Sequence, residues 1–126
     1  MDALSLLLNR FAVSAGVFYT GRICGVHGFA ADEQRGHLHI IEQGPVDLVE
    51  PNGNVRRIEQ PTLLFMPRPE CHRLIADETL GAKVLCATVR FGGGNPISDS
   101  LPALVAVEIE ALEGALSVLG LVGREA

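Results

Sequence analysis

Basic residues are scarce in this chain: ten Lys and Arg stand against fifteen Asp and Glu, a formal net charge of −5. A phosphate-binding surface needs clustered Lys and Arg, so this balance excludes DNA or RNA contact by this piece. No apolar run approaches the roughly 20 residues that span a bilayer, and the start at Asp2 lacks the basic flank of a signal peptide. Three cysteines, an odd number without dense spacing, do not make the disulfide framework of a small secreted domain. No internal repeat or low-complexity tract is present. These absences lead to the expectation of a cytoplasmic protein with no membrane contact. What is present is a chain of 126 residues, 48% hydrophobic and 20% charged, which suits one compact domain with a single core.

Hydrophobic spacing divides the chain into three parts. Leu4, Leu7, Leu8 and Phe11 recur at helical intervals behind Asp2 as N-cap, which predicts a short docking helix over residues 2–11. From Val17 to about Phe91 the pattern changes to short runs broken by Gly, Pro and Asn. Strands are expected at 17–24, 26–30, 37–42, 46–50, 55–59, 62–66, 72–76 and 83–91. Many short strands with close turns favour an all-β barrel or sandwich, which also removes unpaired edges. Gly92-Gly93-Gly94 reads as a surface loop, because a phosphate-cradling loop needs a helix start directly after it and Pro96 follows instead. The last part, 107–122, sets Ile109, Leu112, Leu116 and Leu119 on one stripe with Glu108, Glu110 and Glu113 opposite, the pattern of an amphipathic helix.

The chemistry concentrates between Gly36 and Leu74. Side chains alternate along a strand, so His37 and His39 share a face of the run His37-Leu38-His39-Ile40-Ile41. The turn Pro51-Asn52-Gly53-Asn54 reverses the chain, Val55 to Glu59 returns, and Thr62 to Met66 runs into the tight segment Pro67-Arg68-Pro69-Glu70-Cys71-His72. Three imidazoles delivered to one place could hold zinc, nickel or iron with a carboxylate such as Asp32 or Glu33 or with a thiolate. They could equally be polar residues at a barrel mouth, each hydrogen-bonded to backbone or water. His27 falls outside this set, at the surface or a strand end. Cys24 and Cys86 read either as small buried hydrophobes or as ligand or redox thiols, and Cys71 as the thiol nearest solvent. Arg68 and Arg73 flank the turn, where a guanidinium could hold the carboxylate of a small ligand or pair with Glu70 or Glu42.

Several of these features together resemble the cupin superfamily, small β-barrels whose second motif ends in a Pro-rich turn and an inward histidine, as Pro67 to His72 does. Cupins place a metal-binding glutamate seven positions before the glycine that ends the first motif strand, and seven before Gly44 stands His37. The two histidines that normally precede that glutamate are replaced by Ala30-Ala31-Asp32-Glu33-Gln34, so the usual enzyme metal set is broken. The remainder looks more like the cupin-type sensor domains at the N-terminus of AraC-type transcriptional regulators. The carrying residues are the start Met1-Asp2-Ala3-Leu4-Ser5, Gly21-Arg22-Ile23-Cys24-Gly25, His39, the Pro67 to His72 turn, Cys86 before Arg90-Phe91, and Asn95-Pro96 with Leu101-Pro102.

That resemblance implies a single sensor domain over 1–126, with a jelly-roll barrel at about 17–91, a small-molecule effector and a homodimer. The helix at 107–122 would then either pack on its own barrel or pair with its counterpart in a second subunit. It also implies a DNA-binding module of two helix-turn-helix units, which residues 1–126 do not contain. Two further readings stay open. One is a metal-dependent cupin enzyme, such as a dioxygenase or isomerase, against which stands the broken metal set and the lack of a nucleophile constellation. The other is a redox sensor in which Cys24 and Cys86 face a space shared with His39 or His72.

Overall fold

A computed structural model describes residues 13–30, 36–68, 70–91 and 102–111. Nine strands follow one another: β1 (Val13–Ile23), β2 (Gly25–Phe29), β3 (Gly36–Gln43), β4 (Val46–Val49), β5 (Val55–Ile58), β6 (Thr62–Met66), β7 (His72–Ala76), β8 (Ala82–Phe91) and β9 (Val105–Glu108). The eight strands read from the sequence are all present, β6 and β7 with the boundaries expected. The docking helix at 2–11, Asp32 and Glu33, and the triple-glycine loop lie outside the described residues.

The strands form two antiparallel sheets. One has the order β1-β8-β3-β6-β9, the other β2-β7-β4-β5. Their facing surfaces make the main core, in which Ile41, Leu64, Met66, Val84 and Cys86 of the first sheet meet Val46, Leu48, Ile58 and Leu74 of the second. Burying a side chain of this size is worth about 1.5–3 kcal/mol each. Asn52 and Gly53 close the β4–β5 hairpin. The Asn52 side chain accepts from the Asn54 amide at 2.9 Å, and Gly53 takes a φ of 90° that other residues resist.

β3 lies between β8 and β6 in the middle of its sheet, and most of its residues on both faces are buried. Its inward row is His37, His39 and Ile41. Its outward residues Leu38 and Ile40 join Leu63, Ala87 and Val89 in a second apolar cluster, against which Ile109 packs. The period-two pattern therefore carries two hydrophobic layers, not one wet face and one dry.

The C-terminal stripe is corrected at its start. Val107 and Glu108, expected to begin a helix, belong to β9, which pairs with β6 from Thr62↔Glu108 to Phe65↔Val105. The open edge of β6 offers backbone partners that a four-residue alternating segment can satisfy, and this tertiary pairing outweighs local periodicity. The chain turns helical at 109–111. Ile109 rests on the chain's own sheet, and the rest of the stripe lies outside the described residues. The barrel is also longer than 17–91: it starts at Val13 and takes in β9.

Candidate functional site

Register carries the three histidines into one space. His37 and His39 lie two residues apart on the inward face of β3, and His72 opens β7 on the facing sheet. Ring centroids are 6.0 Å apart for His37 and His39, 4.9 Å for His37 and His72, and 4.9 Å for His39 and His72. All are buried, His39 completely. Gly36 allows this approach: a Cβ there would sit on the carbonyl of Met66 and 2.7 Å from that of Pro67, so only glycine lets β3 start tight beneath the turn.

The central contact is between His39 and His72, whose Nε2 atoms are 2.7 Å apart. One nitrogen must donate and the other accept, and a second bond decides which. His72 Nδ1 lies 3.4 Å from the Glu70 carbonyl, which can only accept, so the His72 proton is on Nδ1 and its Nε2 is bare. His39 therefore donates from Nε2, and its own Nδ1 keeps an unshared lone pair, buried and without a hydrogen-bond partner among the described residues. Both rings are neutral at physiological pH. Burial, then the positive charge that His72 and His37 would carry, lowers the His39 pKa to about 3. Burial and then His37 lower His72 to about 4, partly opposed by the Glu70 hydrogen bond.

Two phenylalanines flank the histidine cluster. Phe29, opposite His72 in the β2–β7 ladder, stacks on the His72 ring at 5.0 Å and 13° and stands 4.7 Å from His39. Phe18, half exposed, lies 6.3 Å from Phe29 and 6.5 Å from His37. Neither stands out in the sequence, because their place depends on strand pairing; position at a strand end opposite a candidate histidine is the one signal that marks Phe29. Outside Phe29 lies a cleft of about 540 Å³, lined also by Val49, Glu50, Cys71, His72 and Arg73.

The other candidate residues divide. Cys86 is opposite His39 in the β3–β8 register and belongs to the main core. Burial pushes its thiol up to about 11, so it stays protonated and packs as a small hydrophobe. Cys24 does not share that space, contrary to expectation. It is exposed at the β1–β2 corner, with Sγ 2.8 Å from where a Cβ on Gly81 would stand. Five residues of extended β8 separate Gly81 from Cys86, roughly 16 Å. The early and late strands do pair, but the corner lies at the far end of the pairing. Cys71 is exposed on the turn as expected. Arg73 points outward between inward His72 and Leu74, and Arg68 is half-buried. His27 is exposed, its Nε2 3.1 Å from the Cys24 carbonyl.

The fit of a metal can be judged from the nitrogens. Ligand nitrogens 2.0–2.1 Å from a tetrahedral zinc lie about 3.3 Å from each other. The His39 and His72 Nε2 atoms are closer than that and bonded together. Among the described residues no group of three His, Cys, Asp or Glu is arranged to hold a metal ion. The arrangement suits a hydrogen-bonded imidazole pair better than a ligand set.

Two facing antiparallel sheets with an inward histidine cluster at one end define a cupin barrel. A family model described as cupin matches residues 2–126, and the chain belongs to that family. Among solved structures it is similar to ToxT from Vibrio cholerae in an apo K231A form, at 10% identity and a TM-score of 0.51, over 90% of this chain and 48% of that one. A second ToxT structure from Vibrio cholerae, at 1.65 Å, matches at 10% identity and a TM-score of 0.50, over 91% of this chain and 49% of that one. The chain thus spans about half the length of the ToxT chains it matches. At this identity the likeness shows the fold. No curated protein matches. Among the described residues no helix is long and apolar enough to cross a membrane.

Proposed function

We propose that this chain is the effector-sensing and dimerising domain of an AraC-type transcriptional regulator. The observation that carries the reading is the cupin match over residues 2–126, of the kind associated with these regulators, on a barrel whose histidine cluster lies behind an aromatic door. The fold is similar to about half of the ToxT chain, as a sensor domain beside a separate DNA-binding module would be. The acidic balance fits a piece that leaves DNA contact to a separate module. In this reading a small molecule occupies the histidine end of the barrel, and the protein works as a cytoplasmic homodimer. The role in this reading is binding, with the Nε2 atoms of His39 and His72 engaged with each other.

The reading frame after codon 126 tests this. Two successive helix-turn-helix patterns support the regulator; an immediate stop codon speaks for a free-standing cupin. A metal-dependent enzyme remains the competing use of His37, His39 and His72, and a thiol-based sensor the competing use of Cys24 and Cys86. The bonded His39–His72 pair weighs against the first, and the separated, dissimilar cysteines against the second.

A further inference from the structure

We propose that the histidine end of the barrel recognises a small, neutral molecule that donates a hydrogen bond, such as a phenol or an alcohol, with His39 Nδ1 as its acceptor. This rests on the effector-sensing reading and narrows it to a ligand class. The assignment follows from counting donors. His39 spends its N–H on His72, and His72 spends its N–H on the Glu70 carbonyl. What that pair leaves over is a lone pair, His39 Nδ1, fully buried and without a hydrogen-bond partner among the described residues. A buried acceptor in that state is costly, and a ligand that donates to it recovers the loss. A carboxylate brings only lone pairs, so at this atom it meets repulsion with no N–H to receive it.

The walls agree with a neutral occupant. Phe29 and Phe18 supply aromatic faces, and the His39–His72 pair carries no charge at physiological pH. Phe29 and His72 both line the outer cleft of about 540 Å³, and the Phe29 ring, stacked on His72, covers one face of that imidazole. Rotation of this half-buried side chain is the entry step. Among the described residues, the cleft at the opposite end of the barrel, about 500 Å³, has its charged groups paired. There Arg22 donates to the Leu80 carbonyl, Arg57 binds Asp47, and Asp77 accepts from the Thr79 and Leu80 amides.

The test uses the chain with ¹⁵N-labelled histidine at pH 7.5 in chelator, titrated separately with phenol and with benzoate. Phenol is expected to shift the His39 Nδ1 resonance saturably and to bind at least roughly tenfold more tightly than benzoate, the factor set by one net hydrogen bond. Phe29→Leu, a variant that keeps an apolar side chain at the door, is expected to speed phenol exchange without removing the shift. Benzoate shifting His39 Nδ1 where phenol does not would overturn the donor class while leaving effector sensing intact. No shift with either probe would overturn the site. Zinc added without chelator and moving the Nε2 resonances of both rings at one equivalent would overturn the proposal in favour of a metal centre. The frame after codon 126 judges the effector-sensing reading independently.

Discussion

Lowering the pH should weaken this fold through two particular rings. The unfolded chain titrates its histidines near 6.5, whereas the folded chain holds His39 at about 3 and His72 at about 4. Below pH 6.5 the unfolded state therefore binds more protons than the folded one. Stability is whole above pH 6.5 and is lost as the pH falls toward the folded values. Each ring removes about 1.4 kcal/mol per pH unit across that window, so at pH 5 the two together remove about 4 kcal/mol. That is a large share of the 5–15 kcal/mol typical of a domain. The assay is urea unfolding at pH 7.5, 6.5, 5.5 and 5.0 in chelator, for the natural chain and for His39→Leu/His72→Leu. Removing both partners leaves only the half-buried Glu70 carbonyl without its imidazole donor, so the double variant should lie within about 1–2 kcal/mol of the natural chain at pH 7.5. Its acid loss should shrink by about 4 kcal/mol at pH 5. A double variant that loses as much stability as the natural chain over the same range would refute the buried neutral pair.

The remaining predictions concern single features. His39→Leu alone strands the bare Nε2 of His72 and should cost about 1–3 kcal/mol beyond the lost packing, so it should be less stable at pH 7.5 than the double variant, as measured by urea midpoint. Thiol labelling in the native state should modify Cys24 and Cys71 quickly and spare Cys86 until the chain unfolds, and mild oxidant should not change the Cys86 rate. Gly36→Ala should destabilise by about 1–3 kcal/mol or more, because its Cβ meets backbone carbonyls that cannot rotate away; thermal unfolding reads the loss. Phe29→Ala should admit water to the pair and move the His39 and His72 pKa values up toward 6.5, followed by NMR titration.

Most of the β pattern was legible because its signals are local. Pro51 to Asn54 mark a turn, β-branched runs end at Gly or Pro, and period two puts His37 and His39 on one face. The Pro67 to His72 segment likewise announces where His72 enters. Features that depend on pairing between distant strands were not legible. Val107 and Glu108 suit a helix start as well as a strand, and the open edge of β6 decides the matter. Cys24 and Cys86 look equivalent in sequence, yet one falls at a corner and the other in the core. Phe29 owes its role to standing opposite His72 across the sheet, 43 residues away in the chain. The His39–His72 bond and its assigned tautomers need three residues in atomic register, and no spacing rule supplies that.

A neutral imidazole pair at the histidine end of the barrel is tested most directly by ¹⁵N correlation spectra of the histidine rings at pH 7.5. His39 should carry its proton on Nε2 and His72 on Nδ1, with a scalar coupling between the two Nε2 atoms across their hydrogen bond. The same tautomer on both rings, an imidazolium at either, or Nε2 shifts typical of metal coordination would contradict it.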